Sequence, residues 1–297
     1  MIVFSGDHFA FTLLQRIKNQ RINVPLRLVS VVFCEDEPSQ IYTRLKHEAA
    51  VQVGIEFDRI DHSLTDPISL IQSSIRSASH RADVTGVMIQ KPGKRSWAQL
   101  TGKSPARFDD WWRELSSAID PAKDVDCLTR KNLSKVYEGT WVLLPATVQA
   151  VLYIVAEALK IDSQALTTIS FEPIPELKQL TVSVVGRSEL VGRPLAAVLQ
   201  HKGAAHVSLL GTSMDPDLLS RTLVTSDLII SATGKSKLIT GDMVKPGAIV
   251  IDVGAPGADV DFETVAPKTS FITPVPNGVG PVTVACLLEN LSQLSAL

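Results

Sequence analysis

The chain has 297 residues, of which 45% are hydrophobic and 20% charged, with a formal net charge of −2. That length provides for two domains with separate cores, and the near-neutral balance gives no electrostatic reason to expect nucleic acid or a membrane surface as partner. Three widely spaced cysteines, Cys34, Cys127 and Cys286, speak against a disulfide framework and suit a reducing, cytoplasmic compartment.

In chain order, the N-terminus carries Asp7 and lacks a basic region, so it does not read as a signal peptide, and no apolar run reaches membrane-spanning length. Residues 26–33 read as a buried strand. A helix is predicted over 39–53, with Ser39 as N-cap, Gly54 just past its end, and an apolar stripe of Ile41, Leu45 and Ala49. Residues 84–90 read as a second strand. The stretch 91–119 is basic at first and then carries Trp97, Trp111 and Trp112. It reads as a loop followed by an amphipathic helix, a surface excursion held by aromatic packing.

A helix without breakers is predicted over 147–161, as a connector between domains. Strand patterns then recur at 181–185, 206–210, 227–232, 248–253 and 270–273, separated by short helices or loops. Such a run of βαβ units predicts a doubly wound parallel sheet. A last helix is predicted over 281–294. The six histidines show no metal-ligand spacing; a helix end and a strand start account for His201 and His206, and no metal is expected.

The turn Gly186-Arg187-Ser188-Glu189-Leu190-Val191-Gly192 lies between a predicted strand and helix. A dinucleotide fold cradles pyrophosphate at that place, where backbone N–H groups and the helix dipole meet the anion. Gly186, Ser188, Val191 and Gly192 are therefore candidate cofactor residues, although Ser188 stands where the usual pattern has its middle glycine. NAD-specific sites place Asp or Glu at the end of the second strand. Here that strand runs into Gly211-Thr212-Ser213 with no acid, and Arg187 stands in the first turn. NADP is thus favoured, with Arg187, Thr212 and Ser213 toward its 2′-phosphate. NAD is the alternative, with Arg187 as a solvated surface charge.

Tyr42 and Lys46 are four residues apart and share a helix face. A lysine at a pocket edge moves protons if burial lowers its pKa, but such a pair is usually plain helix surface.

Six segments in order change that reading. They are Pro38-Ser39-Gln40-Ile41-Tyr42-Thr43-Arg44-Leu45-Lys46 ending in Val53-Gly54-Ile55, residues 86–90 ending in Gln90, Asp120-Pro121-Ala122-Lys123-Asp124-Val125-Asp126, Val185-Gly186-Arg187-Ser188 with Val191-Gly192-Arg193-Pro194, Lys245-Pro246-Gly247-Ala248 with Ile251-Asp252-Val253-Gly254, and residues 272–281. Over nearly its whole length the chain resembles the bifunctional methylenetetrahydrofolate dehydrogenase/methenyltetrahydrofolate cyclohydrolase family. The resemblance implies a two-domain α/β fold: an N-terminal folate-binding catalytic domain over 1–146, completed by 277–297, and a Rossmann NAD(P)-binding domain over 147–276. It implies oxidation of 5,10-methylenetetrahydrofolate with NADP, hydrolysis of the methenyl product, and a homodimer. In such enzymes Lys46 would be the catalytic lysine and Gln90 would fix its amine. Tyr42 would stack along the folate, and Asp126 would accept from the pterin N–H groups. The loop bearing Pro276, Gly278 and Gly280 would wrap the substrate.

The chain departs from the family at Lys91-Pro92-Gly93, where Leu-Pro-Leu-Pro is usual, and at Pro145-Ala146-Thr147-Val148. It departs again at Cys127 and Asn277, both in place of glycine, at the shortened segment 255–259, and at the long 91–119 stretch. Other readings are an enzyme with one of the two activities, a non-catalytic paralogue that binds folate or nucleotide, and a Rossmann dehydrogenase acting on shikimate-like substrates.

Overall fold

The computed structural model describes residues 1–20, 25–169, 172–255 and 257–296. The chain divides into two compact units. The larger comprises Met1–Phe11 and Ser134–Cys286, the smaller Thr12–Leu133 and Leu287–Leu297. The sequence-read boundary at 146/147 falls inside the larger unit.

In chain order the first elements are β1 (Ile2–Val3), α1 (Gly6–Gln20), β2 (Arg27–Phe33), α2 (Glu37–Gln52), β3 (Glu56–His62), α3 (Ile68–His80), β4 (Gly86–Ile89), α4 (Lys94–Thr101) and α5 (Phe108–Ser116). The smaller unit is built on a parallel sheet of order β3-β2-β4. The central β2 is buried from Leu28 to Phe33, as a strand covered on both faces must be, and its sequence is therefore a nearly unbroken apolar run. The edge strand β3 reads Glu-Phe-Asp-Arg-Ile-Asp-His and stays largely open to solvent. Its charges are partly neutralised at its start, where Arg27 pairs with Glu56, Asp58 and Asp83.

Three readings of this unit need correction. The N-cap of α2 is Asp36, not Ser39. The Asp36 carboxylate accepts from the Ser39 amide at 3.1 Å, and Pro38 occupies the first turn. The buried face of α2 is also not the apolar stripe: Ser39, Thr43, Lys46, Ala49 and Ala50 are buried, while Ile41 and Leu45 are 44% and 42% exposed. Small and polar side chains let the helix pack closely on the sheet, and the larger apolar residues are left outside. Nor is the 91–119 stretch a surface excursion. Trp97, Phe108, Trp111, Trp112 and Leu115 are buried. Trp111 packs 5.7 Å from Phe33 at the end of β2, and Trp97 meets Phe108 edge-on at 5.5 Å. The stretch thereby extends the core.

In the larger unit, β5 (Thr181–Val185), β6 (His206–Leu210), β7 (Leu228–Ser231), β8 (Ile249–Asp252) and β9 (Phe271–Ile272) join β1 in a six-stranded parallel sheet, β1-β9-β8-β7-β5-β6. The winding reverses at β5, between β6 and β7, which is the switch point where such sheets bind ligands. The helix Ala146–Leu159 has buried residues on every side from Val148 to Ala156. It lies wholly within this unit, as an all-round apolar helix requires, and is not a linker. The C-terminal helix Val279–Leu294 begins in the larger unit and ends in the smaller.

Candidate active site

Within the smaller unit, the chemistry-bearing side chains come from the C-terminal end of β4, the segment running beside it, and α2. Gln90 follows β4, its amide donating to the Val31 carbonyl at 2.8 Å and so extending the sheet ladder. Residues 124–126 run beside the same strand: Val87 and Asp124 form a parallel bridge, and the Val87 amide donates to the Lys123 carbonyl at 2.7 Å. Lys46 enters from the buried face of α2, only 8% exposed.

Two of these side chains meet, and Asp126 is close enough for its charge to act on one of them. Lys46 Nζ donates to Gln90 Oε1 at 2.7 Å. Burial pushes the Lys46 pKa down to about 8, and the nearby charge of Asp126 opposes that shift. An amine with such a pKa is available in both protonation states near neutral pH. Tyr42, one turn before Lys46, is partly buried, and desolvation raises its phenol; it therefore stays protonated at neutral pH.

Two residues that the sequence reading did not single out hold this arrangement. Asp124 is fully buried and accepts from the Leu128 and Thr129 amides at 2.8 Å each, from Thr129 Oγ1 at 2.7 Å and from Asn132 Nδ2 at 3.0 Å. This clamp closes the turn containing Asp126. Cys127 there has φ +51°, a conformation that explains glycine in the resembled pattern. Burial raises the Asp124 pKa against those four donors. The second residue is Asp36, which caps α2 and also accepts from the Gly93 amide at 3.0 Å. It thus ties the helix carrying Lys46 to the loop after Gln90. The signal for both was an acid followed within a few residues by Ser, Thr or Asn. A cavity of about 500 Å³ lies elsewhere in this unit, lined by Trp97, Arg107, Trp111 and the segment 64–68, and Lys46, Gln90 and Asp126 do not line it.

In the larger unit the Gly186 turn follows β5. Gly186 has φ +121°, and a Cβ on Gly192 would lie 1.8 Å from the Gly186 carbonyl oxygen, so the turn closes only with glycine at these positions. Ser188 Oγ accepts from the Val191 and Gly192 amides at 3.2 and 3.4 Å, preforming the start of the helix Gly192–His201. Arg187 extends over Gly211, whose added Cβ would lie 3.0 Å from Arg187 Cδ. Thr212 and Ser213 follow β6 on the surface. The cradle fits a pyrophosphate, and the absence of an acid at Gly211–Ser213 fits a 2′-phosphate better than a free ribose hydroxyl. Pro276, Gly278 and Gly280 also lie in this unit. Asn277 takes φ +71°, the conformation that asparagine tolerates, and its carbonyl accepts from the Gly6 amide at 2.9 Å. Of the shortened segment 255–259, Pro256 lies outside the described residues.

A unit with a buried lysine, joined in one chain to a unit built as a dinucleotide-binding sheet, defines a two-domain α/β oxidoreductase. Residues 5–126 match the tetrahydrofolate dehydrogenase/cyclohydrolase catalytic domain, and residues 164–296 match the NAD(P)-binding domain of the same enzymes. The chain belongs to the tetrahydrofolate dehydrogenase/cyclohydrolase family. It is 34% identical over 282 residues to the bifunctional protein FolD of Lactobacillus gasseri, across 93% of this chain and 88% of that protein. With the bifunctional protein FolD of Lactobacillus acidophilus it shares 31% over 304 residues, across 99% and 96%. Among solved structures it is similar to the bifunctional FolD methylenetetrahydrofolate dehydrogenase/cyclohydrolase of Campylobacter jejuni, with 28% identity, TM-score 0.81, and coverage of 100% of this chain and 99% of that one.

Proposed function

We propose that the chain oxidises 5,10-methylenetetrahydrofolate to 5,10-methenyltetrahydrofolate with NADP, and hydrolyses the methenyl form to 10-formyltetrahydrofolate. The observation that carries this reading is the buried Lys46 amine, held 2.7 Å from Gln90 Oε1 and near the charge of Asp126. When bound, the nicotinamide supplies the hydride acceptor. The protein's part in the oxidation is positioning: Asp126 accepts from the pterin amino and ring N–H groups, and the Tyr42 ring lies along the folate. In the hydrolysis, water attacks the methenyl carbon while neutral Lys46 takes its proton, and Gln90 holds the amine in place. The carbinol then collapses: its O–H proton leaves to water as the formyl C=O forms, the carbon–N5 bond breaks, and N5 takes up the proton that Lys46 holds, so one proton is released overall. Pro276, Gly278 and Gly280 supply rigid backbone around the substrate. Gly186, Ser188, Val191 and Gly192 hold the pyrophosphate, while Arg187, Thr212 and Ser213 meet the 2′-phosphate.

In this reading the catalytic domain is 1–146 with 277–297, the nucleotide domain is 147–276, and the enzyme works as a cytoplasmic homodimer. Among the described residues no helix is long and apolar enough to cross a membrane. The test is a coupled assay with 5,10-methylenetetrahydrofolate and NADP, following methenyl absorbance and its decay. Absence of methenyl with either nucleotide defeats the dehydrogenase. Methenyl that decays only at the buffer rate removes the cyclohydrolase. Lys46→Gln is expected to abolish the hydrolysis while nucleotide binding survives.

A further inference from the structure

We propose that Lys235 is a second determinant of nucleotide choice, sharing with Arg187 the charge of the 2′-phosphate. This inference rests on the NADP reading above and concerns only the larger unit. In the sheet order β6-β5-β7, Arg187 follows β5 and Lys235 lies in the loop after β7. Both reach across to the residues that follow β6. Arg187 covers Gly211, with its Nη1 3.8 Å from an added Cβ there. Lys235 Nζ donates to the Thr212 carbonyl at 3.1 Å. Two cations from separate loops thus converge on two consecutive residues, at the point where an NAD site would carry an acid.

Neither cation is neutralised. Two other lysines of this unit have partners: Lys237 pairs with Asp261 at 3.1 Å and Lys245 with Asp227 at 2.5 Å. Among the described residues, no carboxylate forms a salt bridge with Arg187 or Lys235. Asp215, three residues beyond Thr212, has its carboxylate committed to the Leu218 amide at 3.0 Å as the cap of the helix Pro216–Leu223. The loop bearing Lys235 is also fixed. Asp259 Oδ2 accepts from Ser231 Oγ at 2.8 Å and from the Thr233 amide at 2.6 Å, and Thr233 Oγ1 accepts from the Lys235 amide at 3.1 Å. A phosphate monoester carries close to two negative charges at neutral pH, and one guanidinium balances only one of them. The Lys235 ammonium needs only to exchange the Thr212 carbonyl for a phosphate oxygen.

The test compares Lys235→Gln and Lys235→Arg with the native enzyme. Michaelis constants are measured for NADP and NAD, and inhibition by adenosine 2′,5′-bisphosphate and adenosine 5′-monophosphate. Lys235→Gln is expected to weaken NADP and the bisphosphate about tenfold more than NAD and the monophosphate, the scale of one hydrogen bond to a charged group. Lys235→Arg is expected to retain most of the preference. A native enzyme that prefers the bisphosphate, with a Gln variant that keeps the full preference, overturns the Lys235 assignment alone. A native enzyme that binds the two inhibitors equally overturns the NADP reading and Lys235 with it.

Discussion

At the scale of single residues, Lys46 has a cost that its chemistry explains. Burial lowers its pKa from 10.5 to about 8. In the unfolded chain the amine holds its proton more tightly, so the folded state is penalised below pH 8, and the penalty disappears as pH rises from about 8 to 10.5. Its full size is about 3 kcal/mol at 1.36 kcal/mol per unit. Lys46→Met should therefore abolish methenyl hydrolysis yet raise stability at pH 7, by up to that amount less the loss of the Gln90 contact, and the gain should vanish above pH 10.5. Urea unfolding at pH 7 and pH 10.5 measures it; a variant less stable than native at pH 7 would contradict the argument. On the proposed mechanism the same protonation sets the rate. Only the neutral amine takes a proton from water, so hydrolysis by the native enzyme should climb with pH and level off above about 8. A rate that falls through pH 8 would assign the active form to the ammonium.

At the scale of elements, Asp36 joins what the sequence separates. Its carboxylate caps α2 at the Ser39 amide and also accepts from the Gly93 amide. Asp36→Ala loses the cap, worth about 1 kcal/mol, and leaves the Gly93 amide without that acceptor. A loss of about 1–3 kcal/mol in urea unfolding is expected, with slower methenyl hydrolysis because the Lys46–Gln90 contact loosens. Ile41→Gln, on the exposed face of the same helix, should change stability by less than about 0.5 kcal/mol. An equal loss in both variants would show that Asp36 has no special place. This helix also shows where sequence reading stops. Apolar spacing pointed to Ile41 and Leu45 as the buried face, because hydrophobic periodicity assumes that the inner face is oily. Here that face holds the buried Lys46 and the small residues that let it approach the sheet. Strand β3 was not legible for the related reason that an edge strand need not be apolar, and the tryptophans of 91–119 are legible as core only once Phe33 is seen to end beneath them. The Gly186 turn was legible because its backbone allows few other residues; Lys235 was not, because its partner stands 23 residues earlier in the chain.

At the scale of the whole molecule, the chain leaves the smaller unit at Leu133 and returns to it at Leu287, so the last turns of the C-terminal helix complete a core begun much earlier. Leu287, Leu288, Asn290 and Leu291 are fully buried. Leu291 reaches Gly86 so closely that an added Cβ there would lie 2.5 Å from Leu291 Cδ1, and Arg16 pairs with Glu289. The polar member is the informative one. Asn290 Nδ2 donates to the Val125 carbonyl at 3.0 Å across 165 positions of sequence, one residue before Asp126. Asn290→Ala leaves that carbonyl buried without this donor, at a cost of about 1–3 kcal/mol, and releases the backbone beside Asp126, the carboxylate proposed to face the pterin. The Michaelis constant for 5,10-methylenetetrahydrofolate should rise severalfold, while adenosine 2′,5′-bisphosphate, bound in the other unit, keeps its native affinity. Steady-state kinetics and a binding titration separate the two effects. Equal weakening of both ligands would mean that the substitution loosens the molecule generally, and that the C-terminal helix has no particular hold on the folate side.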